Sequence, residues 1–191
     1  MKITLDLDDV IFNTYPLFNV AFQHFGLNFF PATDWDLYKC YPACVVEYLY
    51  HYLFGHDMLY TMPIQNQRLA IMLNDLIKNS EHEILFVTER KFKQPLKTFQ
   101  QLQNAGVKCS FEQVYDKDGK KSDILRELQP DLHFDDSPYV IKGCIEKHIP
   151  IVMISNNFTL YNHFLRDQVE HYKNLRSALV AKGIYTNQKM N

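Results

Sequence analysis

Glycine is scarce in this chain, with six residues among 191. No Gly-x-x-x-x-Gly-Lys-Ser/Thr run occurs, which excludes a phosphate-cradling P-loop enzyme. An excess of one charge is lacking too: 20 Lys and Arg stand against 22 Asp and Glu, for a formal net charge of -2. The chain therefore carries neither the basic footprint of a nucleic-acid binder nor an acidic tail. No apolar run approaches the ~18 residues that a membrane span needs. The opening Met1-Lys2-Ile3-Thr4-Leu5-Asp6 meets an acid before a signal-type apolar region develops. A soluble, cytoplasmic protein with no membrane or nucleic-acid partner is expected. Cysteines are few and scattered (Cys40, Cys44, Cys109, Cys144). Cys40 and Cys44 with His51 downstream make a metal site conceivable, but reduced, mostly buried thiols are the favoured reading.

The apolar residues present are patterned. Ile3, Leu5 and Leu7 alternate with Thr4, Asp6 and Asp8, a period of two that predicts a strand ending in a carboxylate-rich turn. Helical spacing follows from Tyr15 to Phe25, with Gly26 as a stop. Residues 27 to 41 lack periodicity. Helical spacing returns at Val45 to Leu53, and again at Leu69 to Ile77 after Pro63. A different regime opens at Ile84-Leu85-Phe86-Val87, a short apolar run typical of a strand buried on both faces. A helix from Pro95 to Gly106 follows, then a strand within Val107–Val114 and a helix over Lys121–Leu128. Leu132-His133-Phe134 reads as a strand, Pro138 opens a helix, and Ile149–Ile154 makes a further strand. A final helix carries Leu165, Val169, Tyr172, Leu175 and Leu179. Alternating strands and helices predict an α/β fold with a mainly parallel sheet between helices. The helical stretch 13–82 interrupts that rhythm and reads as a cap inserted after the first strand, the core being 1–12 and 83–191.

Candidate chemistry collects where strands are expected to end, which is where such sheets place their sites. Asp6 and Asp8, two residues apart on a strand, share a side and repel each other unless a cation or a shared proton relieves them. Asp9 adds a third acid. Val87-Thr88 ends one buried strand in a hydroxyl, and Phe134-Asp135-Asp136 ends another in two acids. Lys117, Lys120 and Lys121 precede that pair by about a helix length. Taken singly, each has an ordinary reading: a solvated strand end, a helix cap at Asp136-Ser137-Pro138, a solvent-facing lysine cluster. Their order and spacing set them apart.

Ile3-Thr4-Leu5-Asp6-Leu7-Asp8-Asp9-Val10 resembles the first motif of the haloacid dehalogenase (HAD) superfamily, and Ile84-Leu85-Phe86-Val87-Thr88 resembles the second. Lys121 and its helix resemble the third, with Lys120 as a competitor, and Leu132-His133-Phe134-Asp135-Asp136 the fourth. The resemblance implies a Rossmann-like core and a magnesium-dependent phosphohydrolase. Asp6 would be the nucleophile, Asp8 its acid/base partner, and Thr88 and Lys121 the phosphate-binding groups. It places magnesium between Asp6, the backbone carbonyl of Asp8 and Asp135, with Asp136 orienting Lys121 or a metal-bound water. An acid at position 8 favours phosphate esters over halides, since a departing halide needs no proton. Asp9 stands where many members carry Gly.

The insertion, with Thr33-Asp34-Trp35-Asp36-Leu37 inside it, resembles the small helical cap of the 5'(3')-deoxyribonucleotidases. Residues 12 to 82 hold 7 Phe, 7 Tyr and 1 Trp, so 15 of the chain's 27 aromatics lie there. Trp35, Tyr38 and Tyr41 are the candidates for stacking a base, with Arg90 as a further pocket residue. The expected substrate is a small phosphorylated metabolite, a nucleoside monophosphate above others. Another small ester such as a sugar phosphate is the alternative within this chemistry, and a non-catalytic HAD-like regulatory or binding module is the alternative outside it.

Overall fold

The computed structural model describes residues 1–28, 37–54, 57–79, 81–90, 94–116, 119–155 and 165–186. Among the described residues, six parallel strands form one sheet in the order β3-β2-β1-β4-β5-β6. These are β1 (Lys2–Leu5), β2 (Glu83–Thr88), β3 (Val114–Asp116), β4 (Leu132–Asp135), β5 (Ile151–Ile154) and β6 (His171–Tyr172). The expected α/β class is therefore observed. From β1 the chain builds outward through β2 to β3, then returns to β4 on the other side of β1. The order of winding reverses between β1 and β4, and at such a switch point the carboxyl ends of the strands open into a crevice. Asp6 continues the pairing there, its N–H donating to the Phe134 carbonyl at 2.9 Å.

Long apolar runs are absent because each strand is short. The central strands are nonetheless buried on both faces, as β2 shows from Ile84 through Thr88. Parallel strands need crossovers, and helices supply them: α5 (Pro95–Asn104) runs between β2 and β3, α6 (Lys121–Leu128) between β3 and β4, and α7 (Pro138–Glu146) between β4 and β5, while α8 (Leu175–Ala181) follows β6. Gly106, after α5, adopts φ +84°, a left-handed geometry that suits glycine at a helix stop.

The helical stretch between β1 and β2 divides by its packing. Its first part comprises α1 (Tyr15–His24), α2 (Leu37–Cys40) and α3 (Ala43–Tyr48), a π-helical continuation (Leu49–Phe54) and a 3-10 turn (Met58–Thr61). It has a core of its own, built from Leu17, Phe18, Phe22, Val46, Leu49 and Leu59 among others. Its last helix, α4 (Gln67–Asn79), instead buries Leu69, Met72, Leu73 and Leu76 in the cluster that holds β1 and β2. The reason is topological: β1 and β2 are parallel neighbours, and α4 is the crossover that covers them.

Two helical or strand expectations are corrected. The Leu165–Leu179 spacing is not one helix, because His171–Tyr172 pairs with β5 and α8 starts only at Leu175. Asn174 decides that start, its side chain accepting the Ser177 N–H. The strand expected within Val107–Val114 begins only at Val114; before it, Ser110 and Gln113 form a capping box around a 3-10 turn. Among the described residues no helix is long and apolar enough to cross a membrane.

Candidate active site

β1 stops at Leu5, so Asp6 and Asp8 sit beyond the strand on a turn rather than along a regular pleat. Asp9 adopts φ +58°, unusual for a residue with a side chain. Its carboxylate compensates by accepting the Thr14 N–H at 3.0 Å, the Thr14 hydroxyl at 2.6 Å and the Tyr15 N–H at 3.3 Å. An acid thus satisfies the orphan amides at the start of α1 where a glycine would only relax the turn. Asp9 joins the site loop to the insertion.

Asp6 and Asp8 face different cations. Lys121, at the first turn of α6, places its Nζ 2.5 Å from Asp6 Oδ1 and 2.8 Å from Asp135 Oδ2. Lys120 is exposed, whereas Lys121, whose side chain is 3% exposed, is the lysine that reaches Asp6 and Asp135. Asp8 is gripped instead by Arg90, through Nε at 3.0 Å and Nη2 at 2.8 Å. Asp135 has few lone pairs left. Oδ1 accepts the Ser137 N–H at 2.8 Å, and Oδ2 takes Lys121 and His133 Nε2 at 2.9 Å. Thr88 lies at the end of β2, buried, and lines the same cleft.

Electrostatics divides these acids. Burial alone raises Asp135, but Lys121 and His133 outweigh it and bring its pKa down to about 2. Burial favours a neutral Lys121 amine, yet Asp135 and Asp6 reverse that and raise its pKa. Burial lowers the His133 pKa against the pull of Asp135; Nε2 lies 2.9 Å from Asp135 Oδ2, and Nδ1 lies 2.9 Å from the Thr4 hydroxyl and 3.1 Å from the Thr4 carbonyl. Asp6 and Asp136 go the other way. Burial pushes Asp6 up, Lys121 resists, and the charges of Asp135 and Asp8 add to the rise. Asp136 is raised by burial, then by Asp9, Asp6 and Asp135. Asp9 is raised by burial to about 6 in spite of its hydrogen bonds from Thr14.

Buried acids crowded around a common point are what a hard divalent cation relieves. Asp6, Asp135 and Asp136 each offer a carboxylate oxygen, and these atoms lie within 4.8 Å of one another. The oxygen-only donor set fits magnesium better than a thiophilic metal. Among the described residues this is the metal-capable cluster; Cys44 is exposed and Cys109 and Cys144 are buried apart from it.

The acids open into a cleft of about 650 Å³. Its floor is Asp6, Asp8, Thr88, Lys121 and Asp136, and its upper wall is Phe18, Tyr38, Tyr50 and Leu59 from the insertion. Of the aromatic candidates, Tyr38 lines the cleft, with Tyr50 stacked beside it at 6.3 Å between ring centroids. Tyr41 packs edge-on against Phe22 at 4.3 Å within the insertion's own core. Trp35 lies outside the described residues. Sequence reasoning missed Phe18, Tyr50, His133 and Tyr139. The last of these follows Asp135-Asp136-Ser137-Pro138 directly, so adjacency to the paired acids was a usable signal. Phe18 and Tyr50 carried none, since their helical spacing looks like ordinary packing.

A doubly wound sheet with acids at its switch point and a helical insertion after β1 defines the fold as haloacid dehalogenase-like. It is similar over 96% of its length, at a TM-score of 0.67 and 16% identity, to a solved hydrolase of the haloacid dehalogenase-like family from Streptococcus pneumoniae, 98% of which is covered. No protein-family model matches the sequence, and no curated protein matches it either.

Proposed function

We propose that the chain is a magnesium-dependent phosphomonoester hydrolase acting through a phosphoaspartyl intermediate on nucleoside monophosphates. The observation that carries the reading is the buried Asp6 carboxylate, held by Lys121 beside Thr88 at the base of a cleft whose opposite wall is aromatic. The hydrolase activity of the solved neighbour agrees with it.

An Asp6 carboxylate oxygen attacks phosphorus, and the bond from phosphorus to the ester oxygen breaks, leaving its electron pair on that oxygen. The departing oxygen takes a proton from the Asp8 carboxyl. Asp8, now a carboxylate, withdraws a proton from a water whose oxygen attacks the phosphorus of the acyl phosphate. The bond from phosphorus to Asp6 breaks, releasing inorganic phosphate and restoring the carboxylate. Lys121 holds Asp6 in line and offers positive charge to the phosphoryl oxygens, while Thr88 donates its hydroxyl to one of them.

Asp6, the Asp8 carbonyl and Asp135, as expected from the sequence, are the residues proposed to hold magnesium, with Asp136 close enough to join them. Asp135 also accepts from Lys121, His133 and Ser137, which would fix its orientation toward the ion. Bound there, the ion would neutralise charge on the phosphoryl group and on the crowded carboxylates.

The part of the insertion with its own core, from about residue 13 to the 3-10 turn, is proposed as the cap that selects substrate. Tyr38 and Tyr50 offer a face on which a planar base can stack, a contact worth ~1–3 kcal/mol per base. The test is phosphate release from nucleoside 5'- and 3'-monophosphates and from sugar phosphates, with and without magnesium, beside an Asp6→Asn control. Magnesium-dependent release confined to nucleotides supports the whole reading. Release from sugar phosphates alone removes the role given to the aromatic wall, and no release from any ester removes the hydrolase.

A further inference from the structure

Arg90 lines the cleft, and its guanidinium is committed to Asp8. Its side chain is 1% exposed, against 28% for Asp8, so the guanidinium lies behind the carboxylate rather than in front of it. Nε and Nη2 take one oxygen of Asp8 each, at 3.0 and 2.8 Å. Nη1 donates to Thr98 Oγ1 at 3.4 Å, and that hydroxyl donates in turn to Asp116 Oδ2 at 2.9 Å. Asp116 ends β3 and also accepts the N–H of Gln94 at the start of α5. On its remaining side the guanidinium lies 5.0 Å from the centroid of the Tyr60 ring, which belongs to the 3-10 turn of the insertion.

That turn is itself docked on α5. Lys97 Nζ reaches Asp57 Oδ2 at 2.6 Å, and Gln101 Nε2 donates to the carbonyls of Leu59 and Met62 at 3.0 and 3.2 Å. The planar fork of Arg90 is thus held by three elements and presents two parallel donors to one carboxylate. A carboxylate so gripped has both its plane and its distance from the cleft set by a neighbour.

We infer that Arg90 is a positioning residue that fixes the Asp8 carboxylate for proton transfer, and that Tyr60 and Thr98 fix Arg90. This rests on Asp8 serving as the acid/base partner of Asp6. A lysine at position 90 keeps the charge but lacks the fork, and cannot hold both oxygens in one plane. Its effect therefore depends on how much help the leaving group needs. A nucleoside monophosphate expels an alkoxide and requires the proton from Asp8. p-Nitrophenyl phosphate expels a stabilised phenolate and does not, so its first step survives while hydrolysis of the phosphoaspartate, which needs Asp8 as base, slows.

The experiment compares wild type, Arg90→Lys, Asp8→Asn and the double variant on a nucleoside 5'-monophosphate and on p-nitrophenyl phosphate, with magnesium. The expected result for Arg90→Lys is a kcat on the nucleotide lower by on the order of a hundredfold, with KM little changed. On p-nitrophenyl phosphate it shows a stoichiometric burst of nitrophenolate followed by slow turnover. In the Asp8→Asn background, Arg90→Lys adds little further loss, because the group it positions is already gone. Thr98→Val, which removes the Nη1 acceptor and leaves the charge, repeats the pattern at smaller amplitude and serves if Arg90→Lys melts early.

Losses that multiply in the double variant, or a rise in KM with kcat intact, would overturn the inference and return Arg90 to a structural or substrate-binding role. A wild-type chain inert toward both esters would instead overturn the hydrolase reading, and this inference with it.

Discussion

The floor and the wall of the cleft are built on opposite principles. The floor is charge on rigid elements: Asp6, Lys121, Asp135 and His133 hang from the ends of β1 and β4 and the start of α6, and every contact among them is a short, directed bond. The wall is apolar surface on short helices, where Tyr38 is 52% exposed and its ring lies near-parallel to that of Tyr50, 6.3 Å away between centroids. Directed bonds between buried charges tolerate almost no displacement, since an unpaired charge in the interior is costly. Stacking surfaces tolerate sliding, because dispersion is non-directional and each contact is weak. The proposed chemistry therefore falls to the region of directed bonds, and the proposed choice of substrate to the region that can adapt.

Asp6→Asn tests the floor most severely. Turnover should fall by on the order of 10⁴ or more, as when a covalent nucleophile is removed, while the melting temperature holds; steady-state phosphate release and thermal denaturation check both. A variant retaining appreciable turnover removes Asp6 from the nucleophile role and with it the contrast drawn above.

Lys121→Met strips the shared cation from two buried carboxylates and should cost about 3–5 kcal/mol of stability, read as a shift in the urea midpoint. A change within experimental error would mean that the floor is not held by charge.

Proton linkage sharpens the same point. Asp135 has its pKa depressed to about 2, so its contribution to stability is present above the unfolded value of about 3.9 and is lost as pH falls toward 2. Asp6 and Asp136 have raised values. Their folded states favour the proton, so they disfavour the native fold increasingly as pH rises through the folded pKa values, unless a cation is bound. Magnesium at about a hundredfold excess over Kd should then stabilise the protein by about 2.7 kcal/mol, or roughly 5–10 °C in Tm, at pH 8. The gain should be smaller at pH 5, where protons compete for the same oxygens. Equal shifts at both pH values would place the ion elsewhere.

The wall should yield the smallest effect. Tyr38→Ala should weaken a nucleotide by ~1–3 kcal/mol, seen as a rise in KM, and leave p-nitrophenyl phosphate nearly untouched. Equal losses on both esters would show that Tyr38 supports the floor rather than recognising a base.

Much of the floor was legible before the fold, because a strand that ends in an acid announces itself through its period. Asp6, Thr88 and Asp135 each follow a buried apolar run, and α6 covers the stretch its spacing predicted, Lys121–Leu128. The wall was legible only as composition. Tyr41 and Tyr38 lie three residues apart in a stretch without periodicity, yet one packs on Phe22 and the other lines the cleft. Nothing local separates them. The Leu165–Leu179 spacing failed for a related reason: helical periodicity is a weak preference, and Tyr172 has a sheet edge to pair with.

The sequence by itself determined the α/β alternation, the acids at the strand ends and the aromatic enrichment of the insertion. These depend on periods and neighbours within a few residues. Only the tertiary structure decided which lysine reaches Asp6, that α4 serves the sheet, and that Asp6, Asp135 and Asp136 gather within 4.8 Å of one another. It also decided that Arg90 stands behind Asp8. Each of these is a meeting of side chains far apart along the chain, 82 residues in the case of Asp8 and Arg90 and 115 for Asp6 and Lys121. Such meetings are set by the parallel strand order around the switch point, which no local pattern encodes.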